Sequence, residues 1–177
     1  KENFSKIPGS PIAYWVSDNI IKIFDNATLM GEIANPKQGL ATGENEKFLR
    51  LWHEINVKRC GFSISSRECA KKSNMKWFPY NKGGEFKKWY GNNEYVVNWE
   101  NDGLEIRSFK DNKGKLRSRP QNLDYHFQQG ITWSLISSNC FGVRNISIGY
   151  IFDINGMTLF VDDEKKNYIL GFMACKV

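Results

Sequence analysis

Apolar residues recur at helical spacing most regularly near the start of the chain. Ile12, Trp15, Val16, Ile20, Ile23 and Phe24 mark one face of a helix expected over residues 11–24. Ser10 supplies an N-cap and Pro11 the first helical position. Gly31, Pro36, Gly39 and Gly43 then interrupt any helix. Residues 48–55 alternate in a way that permits a strand, and Ser65-Ser66-Arg67-Glu68 opens a short helix to about Asn74. Lys76 to Tyr80 reads as extended, with Pro79 at an edge or an end. Glu85 to Gly91 reads as one or two helical turns, Glu94 to Trp99 as a strand, and Glu100 to Phe109 as a helix.

A polar basic loop follows, then a short helix over Asn122 to Gln129 with Gly130 at its end. Four apolar runs punctuated by turn residues read as strands: Ile131 to Ser138, Phe141 to Ser147, Tyr150 to Ile154 and Met157 to Val161. Residues 165–177 read as a final helix. Short links between strands favour antiparallel pairing. The expected fold class is α+β: a mainly antiparallel, twisted sheet with N-terminal and C-terminal helices and short intervening helices, in a single domain over 1–177.

Composition narrows the function classes. The net charge of +6 and pI near 9.1 favour an anionic partner: nucleic acid, a membrane surface or an acidic protein. No apolar run approaches a membrane span, and Lys1 to Ser10 lacks a secretory h-region, so the expected location is cytoplasmic. The chain begins at Lys1 and stops inside a predicted helix, so it reads as a fragment of a longer protein. Cys60, Cys69, Cys140 and Cys175 form no C-x-x-C pair, and His53 and His126 are the only histidines, so no metal is expected. The cysteines read as small buried hydrophobes. Asp162-Asp163-Glu164 reads as a solvated turn. No P-loop, dinucleotide fingerprint or nucleophile elbow occurs, so no catalytic residue is expected.

Two segments carry the remaining signal. Lys76 to Trp99 interleaves rings with lysines. Trp77, Phe78, Phe86, Trp89, Tyr95, Val97 and Trp99 read as scaffold, whereas the Asn81-Lys82-Gly83-Gly84 turn and Lys87-Lys88 read as exposed and directed at phosphates. The loop from Arg107 to Arg119 sets Arg107, Lys110, Lys113, Lys115, Arg117 and Arg119 against one acid, Asp111, and reads as mobile and phosphate-binding. Residues 131–144 carry hydroxyls, an amide and a guanidinium, groups that read base edges and also build ordinary turns.

The segment Gly39 to Phe48, GLATGENEKF, resembles the G-x-x-T-G-x-N-x-x-F segment that opens the target-recognition region of TaqI-like adenine-N6 DNA methyltransferases. Phe78 to Gly91, FPYNKGGEFKKWYG, resembles a later segment of that region, and Tyr168 to Val177 the helix beyond it. PGSPIAYWVS, NEYVVNWENDG, KGKLRSRPQN and GITWSLISS resemble the large PglX-family methyltransferases of BREX phage-defence systems. Two places depart from the pattern: Met173-Ala174-Cys175 stands for Leu-Asn-Ser, and Asn145-Ile146-Ser147-Ile148 for Tyr-Ser-Pro-Lys.

The resemblance implies a DNA target-recognition domain without its own catalytic activity. The Asn-Pro-Pro-Tyr/Phe motif of the family is absent, since Asn35-Pro36 continues with Lys37. S-adenosylmethionine would belong to the parent protein, with no cofactor in this fragment. Lys82, Lys87, Lys88, Arg117 and Arg119 are then expected on phosphates, and Thr132, Ser137, Ser138, Asn139 and Arg144 near base edges. Implied partners are duplex DNA, the missing methyltransferase domain, and other BREX proteins or a phage inhibitor, with no membrane. The alternative reading is a protein-interaction module that binds defence components or a phage DNA mimic. A carbohydrate-binding domain is a third class, weakened by the cysteine pattern and the missing secretion signal.

Overall fold

A computed structural model describes residues 15–137 and 140–175, together with Ile7 and Gly9. The chain divides into two compact units, residues 1–33 and 34–177. The first contains helices α1 (Asp18–Asn26) and α2 (Met30–Ile33). Helix α1 starts later than expected. Residues 11–14 lie outside the described residues, Trp15 to Ser17 are not helical, and Ser17 is the N-cap in extended geometry. Ile20, Ile23 and Phe24 keep the expected apolar spacing but stay exposed.

The second unit is α+β, with two four-stranded sheets that are mostly antiparallel. Its strands are β1 (Asn35–Lys37), β2 (Leu49–Leu51), β3 (Trp77–Asn81), β4 (Tyr95–Asn98), β5 (Gly130–Trp133), β6 (Val143–Ile146), β7 (Ile151–Phe152) and β8 (Thr158–Phe160). One sheet runs β1-β8-β5-β6 and the other β2-β4-β3-β7. Among the named strands, β3 and β7 alone pair in parallel, with isolated parallel bridges at Leu40–Asp153, Cys60–Trp77 and Trp89–Arg144. Pro79 has no N–H to offer a ladder. It falls between two partners on one side of β3: Gly61 donates to the Trp77 carbonyl at 2.9 Å, and β7 joins only from Tyr80. The edge expected at Pro79 is therefore local to that residue.

The helices of this unit are α3 (Asn45–Phe48), α4 (Arg67–Lys72), α5 (Glu100–Arg107) and α6 (Asp163–Ala174). Ser66 caps α4 by accepting from the Cys69 amide at 3.2 Å. The acidic run Asp162-Asp163-Glu164 begins α6, where the helix dipole favours negative charge. Helix α5 is broken near its start, because Asn101, Asp102 and Gly103 take left-handed φ of 52, 61 and 69°. That turn delivers the buried Asp102 carboxylate to Arg67, whose Nε and Nη2 donate at 2.7 and 2.6 Å, and to Arg107 at 2.8 Å. Burial opposes ionisation of Asp102, but Arg67, Lys71 and Arg107 outweigh it and hold its pKa below the usual value.

Two expected helices are not helical. Asn122 to Gln129 contains only a 3₁₀ turn at Leu123–Tyr125, and Gly130 opens β5. Residues 85–91 form no helix, because Trp89 turns to φ 72° and its backbone joins the free edge of β6. Its N–H donates to Val143 at 2.8 Å and its carbonyl accepts from Asn145 at 3.0 Å. Burial also corrects the cysteines: only Cys60 is enclosed, which pushes its thiol up to about 11, while Cys69, Cys140 and Cys175 are exposed.

The main core joins Leu40, Phe48, Phe78, Tyr80, Val97, Trp99, Phe127 and Ile151. His126 lies beside it, with edge-to-face contacts to Trp99 at 5.5 Å and Phe152 at 5.1 Å. Neither ring nitrogen has a hydrogen-bond partner among the described residues. Burial, aided by nearby Arg67 and opposed by Asp102, lowers its pKa to about 3. The folded state thus binds fewer protons than the unfolded chain between the ordinary value of 6.5 and about 3. The stabilisation from neutral His126 is complete above pH 6.5 and is lost as pH falls toward 3. Thermal melts should show this group removing about 2 kcal/mol of stability between pH 7 and pH 5. His126→Leu should flatten that window, and a variant with the same slope would show that another group titrates there.

Candidate nucleic-acid interface

The Gly39 to Phe48 signature has a physical reason at each fixed position. A Cβ on Gly39 would lie 1.8 Å from the Phe152 carbonyl oxygen, so only glycine fits beside β7. The Thr42 hydroxyl donates to Asn45 Oδ1 at 2.7 Å and holds the turn into α3. Gly43 takes φ 78° and backs onto the Arg117 carbonyl. Phe48 is fully buried and meets Phe109 edge-to-face at 5.1 Å.

This turn begins a rim of connected loops. Arg117 donates to Glu44 Oε2 at 2.9 Å and to the Gly43 carbonyl at 3.1 Å. Thr42 to Asn45 and Asp153 to Asn155 line an open pocket of about 230 Å³. The Asn155 carbonyl accepts from the Leu135 amide at 2.9 Å and packs beneath Gly83. Gly84 donates to Ser134 Oγ at 3.1 Å. Gly142 fits tightly under the Lys87 carbonyl. Segments 43–45, 153–156, 83–89, 134–137 and 140–144, together with Arg117, therefore follow one another by direct contact.

The expected phosphate-binding residues divide by environment. Lys87, Lys88 and Arg119 are exposed, and no carboxylate among the described residues lies within ion-pair distance of them. Lys88 Nζ sits 5.2 Å from the Trp89 ring centroid. Arg119 is fixed through its backbone, which exchanges hydrogen bonds with Ala41. Lys82 is half-buried over the Tyr95 ring at 4.4 Å, and Arg117 is paired with Glu44. The basic loop is closed by Asp111, whose Oδ1 accepts from the amides of Lys113 and Lys115, both at 2.9 Å.

Burial revises the expected base readers more sharply. Thr132 is enclosed, accepting from Asn81 Nδ2 at 2.6 Å and donating to the Met157 carbonyl at 2.9 Å. It joins β3 of one sheet to β5 of the other and has no free edge to offer a base. Arg144 is also fully buried, below the surface on which base edges would lie. Ser137 is exposed and donates to the Cys140 carbonyl. Ser138 and Asn139 lie outside the described residues. Phe86 and Trp89, expected as scaffold, are about half exposed, at 53% and 50%. The alternation of rings and lysines in the sequence was the one signal for that exposure.

Over 164 residues, covering 92% of this chain, the sequence is 42% identical to "Adenine-specific methyltransferase PglX" of Lacticaseibacillus casei (strain Zhang). Over 176 residues, covering 99% of this chain, it is 41% identical to "Adenine-specific methyltransferase BrxX" of Escherichia coli O9:H4 (strain HS). The resemblance to PglX-type methyltransferases holds along nearly the whole chain. The chain spans only 14% and 13% of the length of these two PglX-type relatives. No protein-family model matches it. Among the described residues, no helix is long and apolar enough to cross a membrane, and no cluster of His, Cys, Asp and Glu could hold a metal.

The signature turn of this PglX-like chain is open to a simple test. Gly43→Ala places a side chain at left-handed φ and drives a Cβ to 2.8 Å from the Arg117 carbonyl. Denaturant unfolding should show a loss of about 1–2 kcal/mol from the backbone conformation alone. Unchanged stability would mean that the turn is not held as described.

Proposed function

We propose that the chain is a DNA target-recognition domain, the part of an adenine-specific DNA methyltransferase of the BREX type that grips and reads duplex DNA. The observation that carries this reading is the rim of loops with its exposed cations Lys87 and Lys88, which have no carboxylate partner among the described residues, on a chain of net charge +6. In this reading Lys87, Lys88 and Arg119 contact phosphates directly, and Arg117 exchanges Glu44 for a phosphate on binding. Lys82 adds charge from its half-buried position. Ser137, with Ser138 and Asn139 beside it in sequence, is the segment assigned to base edges. Adenine flipping and methyl transfer belong to another part of the parent protein, which also binds S-adenosylmethionine.

One observation favours a second reading, an interaction module for defence components or an acidic phage inhibitor. Phe86, Tyr90, Ile136 and Phe141 are exposed around the same loops, and an apolar surface of this kind suits a protein partner. Salt separates the two readings, since phosphate binding releases counterions and apolar contact does not.

Titration of a labelled duplex at two salt concentrations tests the proposal. Affinity should fall steeply with salt, and a Lys87→Ala/Lys88→Ala double variant should weaken all duplexes about equally. Each lost phosphate contact should lower the slope of log affinity against log salt by about 1. Salt-independent affinity, or a double variant with the parent slope, would contradict phosphate gripping at this rim. Tight, salt-resistant binding of an acidic protein without duplex binding would favour the second reading.

A further inference from the structure

Arg144 is a buried cation without a counter-charge among the described residues. Its residue surface is fully enclosed, and no carboxylate lies within ion-pair distance among the described residues. Nη1 donates to the Gly142 carbonyl and Nη2 to Ser134 Oγ, each at a long 3.4 Å, while Nε–H has no partner. A guanidinium carries five N–H donors, so most of its capacity is unused. Burial lowers the Arg144 pKa, with only the field of Glu94 opposing it. A folded chain keeps such a group at a stability cost unless an anion completes the site.

Arg144 is one of the residues around a pocket of about 190 Å³ whose other walls include Gly84, Phe86, Ser134, Ser137 and Gly142. We propose that this pocket takes one phosphate group, with Arg144 as its charged ligand. A guanidinium below the surface cannot enter a groove, so the ligand must be a compact anion that comes to it. Arg presents paired N–H groups that match phosphate oxygens. Ser134 Oγ accepts the Gly84 amide at 3.1 Å and keeps its own hydrogen to donate. Lys87 and Lys88 adjoin the pocket wall in sequence and raise the local positive charge. Glu85 is the one carboxylate on the described walls, and it is exposed. The inference rests on the DNA-recognition reading only for the carrier of the phosphate, which is either a nucleic-acid backbone or the free ion.

The test follows the arginine Nε–H resonances of the isotope-labelled chain, first with inorganic phosphate and then with a short duplex in phosphate-free buffer. The Arg144 signal, assigned through bonds, should shift saturably in both arms, and phosphate should raise the melting temperature. Arg144→Met should remove both responses while keeping the fold, since an apolar residue of similar length suits a buried site. If that variant does not fold, the native titration decides alone. An Arg144 signal unmoved by phosphate overturns the pocket. A signal that moves no more than that of exposed Arg119, without saturation, does the same. A phosphate response without a duplex response supports the anion pocket and removes DNA as its carrier. Duplex binding with Arg144 unmoved in both arms overturns the pocket and leaves DNA recognition standing.

Discussion

The hydroxyl of Tyr80 holds together the segments on which the rim depends. Fully buried at the end of β3, it lies 3.0 Å from the Leu40 carbonyl and 2.5 Å from Asp153 Oδ2. Leu40 heads the signature turn, and Asp153 heads the turn that packs under Gly83 and meets Leu135. One O–H hydrogen thus serves two acceptors on two segments. Burial raises the Asp153 pKa, against the hydrogen bonds from Tyr80 and from Asn155. The next residue of β3, Asn81, carries the tie onward to Thr132 in the other sheet. Loss of the hydroxyl would leave buried polar groups unpaired, at about 1–3 kcal/mol for each. It would also loosen three rim segments together.

A rim built this way separates scaffold from contact surface within single short segments. Residues 83–89 leave the buried end of β3 through Gly83, expose Phe86, Lys87 and Lys88, and join the edge of the other sheet at Trp89. The left-handed backbone of Trp89 is sustained by its two hydrogen bonds to β6, which leave its half-exposed ring beside Lys88. Strained residues of this kind persist only where surrounding structure fixes them, and they gather at working surfaces. Arg117 shows a different economy of charge: it is tethered to Glu44 and Gly43, so its guanidinium is already oriented.

Much of the fold was legible along the chain where local preference and tertiary packing agree. The strand at Tyr95–Asn98, the Ser66 cap of α4, the cores of β5 to β8 and the final helix all carry their own periodicity or punctuation. The failures have a common physical cause. Residues 85–91 had helical composition, but pairing with β6, more than fifty residues away in sequence, captured Trp89. The basic loop read as mobile because of its glycine and small polar residues, whereas Asp111 collects two amides and closes the turn. Within the candidate site, the exposure of Lys87 and Lys88 followed from charge density. The burial of Thr132 and Arg144 did not, because hydroxyl and guanidinium groups look surface-directed until the other sheet, for Thr132, or a neighbouring loop, for Arg144, packs against them. The Gly39 to Phe48 pattern marked a family, yet its glycines are explained only by Phe152 and Arg117, far along the chain.

The central claim is that this rim, and no other face of the second unit, meets DNA. Hydrogen-exchange footprinting of the chain with and without a duplex tests it most directly. The account predicts slowed exchange at residues 83–89, 117–119, 134–137 and 142–145, with the Arg67–Asp102–Arg107 node unchanged. Protection centred on that node, with the rim exchanging as freely as before, would contradict it.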